Sequence, residues 1–183
     1  MWTQSDVICT VGVPAAGKST FSKRMVNEHG AKVINLDGHF YDSQGVYRWN
    51  PDLDAVAWRK VIEELEDHFR QSDSLVVVDD IFLYLPRRKE VVELAMKYGK
   101  APVAVYFETP LTDCLKRNAR RTEDRRIPED IVRKMYRDIA KPHPNEHWRR
   151  IYEYLPDRTT KLLWDRTKDS KSDKLQWAER DTQ

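Results

Sequence analysis

A glycine-rich stretch near the start of the sequence has the composition of a phosphate-binding loop. It reads GVPAAGKST over residues 12–20 and directly follows the apolar run VICTV. Two glycines five residues apart allow the backbone to wrap, so that successive N–H groups face phosphate oxygens, and a helix that begins here adds its positive dipole end. We therefore predict a site for ATP or another nucleoside triphosphate with Mg²⁺, contacted by Gly12, Ala15, Ala16, Gly17, Lys18, Ser19 and Thr20.

Two residues of this loop have specific chemical roles in the prediction. Lys18 is expected to reach the β- and γ-phosphates, and the hydroxyl of Ser19 is expected to bind Mg²⁺. The alternative is an ordinary glycine-containing turn between a strand and a helix. The position of the motif between a buried-strand pattern and a helical pattern favours the nucleotide site.

Two acidic residues end a second apolar run, LVVVDD. In a parallel sheet, Asp79 and Asp80 would lie at the carboxyl end of their strand, beside the phosphate loop. One of these carboxylates can hold a water bound to Mg²⁺ or contact the group that accepts the phosphate, and Asp79 is the predicted metal residue. A helix N-cap is the alternative role for these carboxylates, and the two roles are compatible.

A third acid, Asp37, ends the run INLDG. A carboxylate delivered to the same crevice can accept the proton of an attacking hydroxyl, which is the base role in phosphoryl transfer. The alternative is that Asp37 forms a turn before Gly38, since Asp-Gly is a common turn pair. No evident residue would position a water molecule for hydrolysis, which favours transfer.

The segment LKRNARRTEDRR is rich in arginine. On a helix, Arg117 and Arg121 are four residues apart and share a face. Cations above a γ-phosphate would stabilise the charge that shifts during transfer, and a segment that closes over the nucleotide would exclude water. The alternative is a solvated basic helix that pairs with neighbouring acidic residues.

Four short apolar runs predict strands. Each run is almost continuous, as in strands that are buried on both faces, and helical patterns lie between them. The predicted fold is α/β, a P-loop NTPase fold with a parallel sheet of four to five strands, helices on both faces and an Arg-rich lid. The predicted strands are 7–11, 32–36, 75–80 and 103–107, with 159–165 as a fifth strand at an edge, and the predicted helices are 18–29, 54–71, 87–99, 109–121 and 127–140.

Length and composition predict one kinase domain over residues 1–183, with a core of about 5–166 and a polar tail over 167–183. The net charge is +2, from 32 basic and 30 acidic residues, so charge alone does not indicate a nucleic-acid partner. The beginning of the chain lacks the pattern of a signal peptide, and no apolar run approaches the roughly 20 residues that span a bilayer. These features predict a cytoplasmic location and no membrane partner, and they leave the oligomeric state open.

From residue 7 to about 140, the chain resembles P-loop kinases of the polynucleotide 5′-hydroxyl kinase type. The matching segments are GVPAAGKST, VINLD, VVVDD and TPLTDCLKRNARRTEDRRIPEDIVRKMYRDI. The resemblance implies that Asp37 is the general base on an acceptor 5′-hydroxyl, that Arg121 contacts the donor phosphates, and that Arg117 lies on the nucleotide side of the lid. The catalytic residues it implies are Lys18, Asp37, Asp80 and Arg121.

The acceptor side departs from the pattern of that family. The family has an arginine three residues after the base, where this chain has Phe40, and Arg48 is a candidate replacement. The predicted substrate contacts are Asp37, Asp80, Phe40 and Arg48. Tyr41, Tyr47 and Trp49, the last of which lies outside the residues that the structure describes, could stack on bases of a DNA or RNA acceptor, either single-stranded or bearing a free end. Three alternatives stay open: a kinase of a hydroxymethylated base in DNA, a kinase of a nucleoside, sugar or antibiotic, and a nucleotide-binding protein without catalysis.

Overall fold

A six-stranded sheet forms the centre of the computed structural model, which describes residues 2–48 and 50–168. The strand order is β2-β3-β1-β4-β5-β6; the first five strands of this order run parallel, and β6 is antiparallel to β5. The predicted α/β fold is confirmed, and the sheet has one strand more than predicted. The strands are β1 (Asp6–Val11), β2 (Lys32–Asn35), β3 (Val76–Asp79), β4 (Ala101–Tyr106), β5 (Arg150–Tyr154) and β6 (Thr160–Asp165).

Five helices cover the two faces of this sheet. The first two helices have the bounds that the apolar periodicity predicts, and the other three each start beside a proline, which fits the first turn of a helix. Most of the tail predicted over 167–183 lies outside the described residues. The helices are α1 (Lys18–His29), α2 (Asp54–Gln71), α3 (Leu85–Lys97), α4 (Leu111–Ala119) and α5 (Glu129–Asp138).

Strand β1 lies at the middle of the sheet, and its side chains alternate between two hydrophobic clusters. Val7, Cys9 and Val11 pack in a cluster that includes residues of α2 and α3. Ile8 packs in the other cluster, with residues of α1 and α4. Both faces are buried, which explains why the run VICTV is nearly continuous in apolar residues instead of alternating.

The carboxyl ends of β1, β2 and β3 meet at one edge of the sheet. The phosphate loop follows β1, Asp37 lies in a 3-10 turn that follows β2, and Asp79 ends β3. Thr10 in β1 and Asn35 in β2 are both in register with Asp79. This edge therefore collects the predicted chemical groups, as the crevice at the strand ends of α/β sheets generally does.

Strand β5 is the element that the sequence prediction missed. Its sequence, RIYEY, carries charged residues and follows a proline-rich loop, so it lacks the continuous apolar run of the other parallel strands. The strand lies beside β4 because Ile151 is fully buried there and Arg150 pairs with Asp6 of β1. The predicted strand at 159–165 is confirmed as β6 at the edge of the sheet, where it forms a hairpin with β5.

Candidate nucleotide and acceptor site

The backbone of the phosphate loop requires glycine at two positions for two different reasons. A Cβ atom on Gly12 would lie 2.8 Å from the Cβ of Phe107, so the loop approaches the end of β4 too closely for any side chain. Gly17 has a φ of 109°, which side-chain-bearing residues rarely adopt. Helix α1 begins at the next residue, so its unpaired N–H groups face the loop.

Lys18 is folded back over this loop. Its Nζ donates hydrogen bonds to the carbonyl oxygens of Gly12 at 2.8 Å and Val13 at 2.9 Å, and the residue is only 9% exposed. Burial lowers the pKa of Lys18, and the negative charges of Asp79 and Asp80 oppose that shift. A buried ammonium group therefore lies at the point where the sequence predicts phosphate oxygens.

Asp79 is held in place by two hydroxyl groups that flank it. Thr10 Oγ1 lies 3.1 Å from one carboxylate oxygen, and Ser22 Oγ lies 3.0 Å from the other. Ser22 Oγ is also 3.0 Å from the carbonyl oxygen of Lys18, so the hydroxyl ties Asp79 to the first turn of α1. Sequence reasoning missed both hydroxyls, although Ser22 is four residues after Lys18 and Thr10 stands within an apolar strand.

Asp80 is nearly buried, and it faces α3 instead of the open crevice. Arg87 Nη1 lies 3.4 Å from its carboxylate, and the same guanidinium pairs with Asp54 and lies 4.8 Å from the ring centre of Trp58. Burial raises the pKa of Asp80, and the positive charge of Arg87 opposes that shift. Sequence reasoning missed Arg87, because no local pattern connects it to the end of β3.

A cavity of about 490 Å³ opens beside the phosphate loop. One wall is the loop itself, and a second wall is the start of α4, where Thr109 Oγ1 donates to the carbonyl oxygen of Ala16 at 2.7 Å. A third wall is the turn of the β5–β6 hairpin, which the sequence did not indicate. The lining residues are Ala15, Ala16, Gly17, Lys18, Ser19, Thr20, Glu108, Thr109, Pro110, Asp113, Arg117, Arg121, Tyr154, Leu155, Pro156 and Arg158.

The two predicted lid arginines line this cavity. Arg117 Nη1 lies 3.4 Å from the carbonyl oxygen of Ala15. Arg121 is half-buried, and its burial and the positive charge of Arg125 lower its pKa, while the charge of Asp37 opposes the shift. Asn118 fixes the segment that follows, because its side chain bonds both the N–H and the carbonyl oxygen of Ile127. Both arginines therefore border the cavity, Arg117 beside the phosphate loop and Arg121 within the electrostatic reach of Asp37.

Asp37 lies on the exposed surface of its 3-10 turn. The side chain of Asn35 caps this turn by accepting a hydrogen bond from the N–H of Gly38 at 2.6 Å, so Asp37 is not the capping residue. Its own carboxylate, 54% exposed, accepts hydrogen bonds from Arg125 at 2.8 Å and from the hydroxyl of Tyr47 at 3.3 Å. The turn-capping role thus belongs to Asn35, and the base role remains the prediction for Asp37.

The structure corrects the expected role of Phe40 and places Arg48 in a local ion pair. Phe40 is 4% exposed and packs in the hydrophobic core with its ring 6.2 Å from that of Tyr47, so it offers no surface for a substrate contact. The apolar side chain is buried because the 3-10 turn folds back onto α2. The side chain of Arg48 is 69% exposed, and its Nε pairs with Asp42 at 2.7 Å.

The donors in the crevice suit a magnesium ion that shares its coordination with phosphates. Among residues 2–48 and 50–168, no group of three or more His, Cys, Asp or Glu side chains could hold a metal ion. Mg²⁺ commonly uses one or two carboxylates with phosphate oxygens and waters, so Asp79 and the exposed hydroxyl of Ser19 meet that need. In the same described ranges, no helix is long and apolar enough to cross a membrane.

Comparisons with known proteins identify a family and several relatives of this chain. Residues 7–142 match the family model described as an AAA domain. An L-seryl-tRNA(Sec) kinase of Methanococcus maripaludis is 27% identical over 161 residues, which are 84% of this chain and 58% of that protein. The chain thus spans less than two thirds of the length of that relative.

Two solved structures show how widely the fold is shared. A gluconokinase of Sinorhizobium meliloti 1021 has a TM-score of 0.57 and 17% identity, over 83% of this chain and 84% of that chain. A structure of a Pnkp1/Rnl/Hen1 complex has a TM-score of 0.52 and 20% identity, over 64% of this chain and 40% of that chain. At these identities the likeness supports the α/β P-loop fold alone, and the activity and the acceptor have to be argued from the site.

Proposed function

The chain belongs to the AAA-domain family, and from that premise we propose that it is an ATP-dependent kinase whose acceptor hydroxyl is carried by a nucleic acid. One observation carries the proposal. The buried ammonium of Lys18 and the exposed carboxylate of Asp37 follow two strands of one parallel sheet and reach the same edge, with lid arginines beside them. A phosphate donor and a hydroxyl acceptor can therefore meet between them.

The donor side accommodates ATP without a change in fold. Lys18 would exchange the carbonyl oxygens of Gly12 and Val13 for phosphate oxygens, which would also remove the penalty that burial places on its charge. Ser19 and Asp79 would hold Mg²⁺, which when bound neutralises the charge on the β- and γ-phosphates. The hydroxyls of Thr10 and Ser22 leave each Asp79 oxygen with a further lone pair for a metal-bound water.

The acceptor side supplies the base. The acceptor oxygen forms a bond to the γ-phosphorus while the bond from that phosphorus to the β–γ bridging oxygen breaks, and ADP leaves. The proton of the acceptor hydroxyl passes to Asp37. Arg117 and Arg121, which line the cavity, would stabilise the charge that develops on the bridging oxygen.

The surface around Asp37 supports a nucleic acid as the carrier of the hydroxyl. Tyr41 is exposed, and Tyr47 and Arg125 lie beside it, which gives the acceptor rim aromatic faces and a cation. The more specific proposal is that the acceptor is the 5′-hydroxyl end of DNA or RNA, because the lid segment resembles that of polynucleotide 5′-hydroxyl kinases. The name of the archaeal relative adds a second nucleic-acid acceptor, a seryl group on tRNA.

An acceptor survey with γ-labelled ATP and Mg²⁺ tests the proposal. The acceptors are 5′-hydroxyl DNA and RNA oligonucleotides, seryl-tRNA, and a mixture of free nucleosides and sugars. We expect label on a nucleic-acid acceptor, and digestion with nuclease or deacylation of the tRNA then identifies the labelled oxygen. Label confined to a free sugar or nucleoside would overturn the proposal in favour of a small-molecule kinase.

A further inference from the structure

The guanidinium of Arg125 crosses from the lid to the acceptor side of the crevice. Its Nη2 lies 2.8 Å from Asp37 Oδ2, and its Nη1 donates to the hydroxyl of Tyr41 at 2.8 Å. Its central carbon lies 4.3 Å from the ring centre of Tyr47. Two segments that are far apart in the sequence thus meet across the mouth of the site.

The donors in this cluster converge on a negative charge. The hydroxyl of Tyr47 donates to Asp37 Oδ1 at 3.3 Å, while the hydroxyl of Tyr41 accepts from Arg125 and keeps its own proton to donate. Burial, followed by the negative charge of Asp37, raises the pKa of Tyr47 to about 12, so this hydroxyl remains a donor at neutral pH. Arg125 and Tyr47 thus form an anion site that Asp37 occupies, and Tyr41 lies beside it with its hydroxyl on Arg125.

This contact conflicts with the base role of Asp37. Arg125 and Tyr47 each bind one oxygen of Asp37, so an acceptor hydroxyl would have to compete with both donors for the carboxylate. The Asp37–Arg125 pair is also exposed, with 54% and 30% of the two side chains accessible, and exposed ion pairs contribute little to stability. The planar fork of an arginine fits a phosphate group as well as it fits a carboxylate, so a phosphate can replace Asp37 at Arg125.

We propose that Arg125, Tyr41 and Tyr47 form a phosphate subsite on the acceptor side, where a phosphate of the acceptor displaces Asp37 from Arg125 and frees the base. The inference rests on the proposed function, because it takes Asp37 as the base. Its ligand class is a phosphodiester or phosphomonoester on the same molecule as the reacting hydroxyl. A neutral sugar lacks that group and would leave the Asp37–Arg125 pair closed.

Binding of a single-stranded 5′-hydroxyl DNA hexamer, labelled with fluorescein at its 3′ end, tests the subsite by anisotropy. Arg125→Gln should weaken binding about 10-fold and reduce the slope of log affinity against log salt by about 0.7. Arg125→Lys keeps the charge but loses the fork, so an intermediate loss is expected. Arg120→Gln removes an exposed arginine from the same segment and should change binding less than about 2-fold. A hexamer with neutral methylphosphonate linkages should bind the wild type and Arg125→Gln equally.

Asp37→Asn provides the opposite test, because it removes the competitor for Arg125. This variant should bind the phosphodiester hexamer up to about 5-fold more tightly than the wild type, and the gain should vanish when Arg125→Gln is added. Asp124→Asn, which removes an exposed acid beside Arg125, is the control for net charge. An Asp37→Asn variant that binds as weakly as Arg125→Gln would show a merely structural pair and overturn the inference.

Two other outcomes would also overturn it: equal binding by Arg125→Gln and the wild type, and no binding of the hexamer by the wild type. Label transfer in the acceptor survey reports the proposed function separately. If Arg125→Gln binds the hexamer as the wild type does and still transfers label to a nucleic acid, the subsite is refuted and the proposed kinase activity stands. Loss of hexamer affinity in that variant, together with label on a nucleic acid, would support the subsite, whereas label confined to a neutral sugar would overturn the proposed function and the subsite with it.

Discussion

The two halves of the candidate site are built in different ways. On the donor side, Lys18 and Asp79 lie on the first turn of a helix and the end of a central strand, and carbonyls and hydroxyls hold both. On the acceptor side, Asp37 and Arg125 lie in 3-10 turns, and their side chains are partly exposed. The donor residues are therefore held mainly by buried and backbone groups, whereas the acceptor residues are held by exposed side-chain contacts that a substrate can rearrange.

The largest effect on phosphoryl transfer is expected from a substitution on the donor side. Lys18→Ala should reduce phosphoryl transfer at least about 100-fold, since it removes a cation aimed at the transferring group. The fold should survive, because the substitution removes a charge that burial disfavours. Transfer of label and the thermal midpoint would be measured together, with Lys23→Ala on the exposed face of α1 as the matched control. A Lys18→Ala variant with full activity would refute the assignment of the loop.

The buried charge of Lys18 also predicts a pH dependence of ATP affinity. Burial lowers the pKa of Lys18 in the protein without ATP, whereas bound phosphate favours the charged ammonium. At alkaline pH, ATP binding therefore requires the uptake of a proton by Lys18. Affinity should fall as pH rises through that lowered pKa, by up to about 10-fold per pH unit. Calorimetric titrations of ATP across the alkaline range would measure it. In Lys18→Arg, which stays charged, the same titrations should be nearly flat, and an equal slope in both proteins would exclude Lys18 as the source.

A smaller effect concerns the support of Asp79. Ser22→Ala removes one of the two hydroxyls on this carboxylate and should lower transfer about 10-fold at limiting Mg²⁺, with recovery at high Mg²⁺. The measurement is the Mg²⁺ dependence of the rate. Ser5→Ala, at an exposed position before β1, is the control. A loss in Ser22→Ala that Mg²⁺ cannot rescue would mean that the hydroxyl serves the fold of α1 and not the metal.

The smallest effect is expected at Arg48 on the acceptor loop. Its guanidinium is exposed and already paired with Asp42, so Arg48→Gln should change the KM for a nucleic-acid acceptor less than about 3-fold. Steady-state kinetics beside Arg125→Gln would compare the two arginines directly. If Arg48→Gln raises the KM more than Arg125→Gln does, then Arg48, and not Arg125, is the main cation that contacts the acceptor.

The same contrast explains which parts the sequence predicts. The phosphate loop and helices α1 and α2 follow from patterns within about 20 residues, so their positions were predicted with the correct bounds. Strand β5 was missed, because its charged residues interrupt the apolar pattern, and Arg150 pairs with Asp6, which is far away in the sequence. The local hydrophobic pattern of the sequence predicts a helix or strand where that element buries its own apolar residues.

The acceptor half depends on contacts that no local pattern encodes. Arg125 reaches Asp37 from 88 residues further along the chain, and only the fold brings them together. Phe40 was predicted as a surface contact, but the 3-10 turn directs it into the core. The pairing of Arg87 with Asp54 and the hairpin wall of the cavity are two more contacts between segments that are far apart in the sequence.

Single-turnover transfer by Asp37→Asn is the most direct test of the account. The assay compares the wild-type protein, Asp37→Asn and a control, Asp52→Asn. The control changes an exposed acid in the segment between β2 and α2. Each protein receives saturating γ-labelled ATP, Mg²⁺ and the nucleic-acid acceptor found in the survey. The account predicts that Asp37→Asn binds ATP normally and transfers at least about 100-fold more slowly, while Asp52→Asn behaves as the wild type. Transfer at the wild-type rate by Asp37→Asn would contradict it.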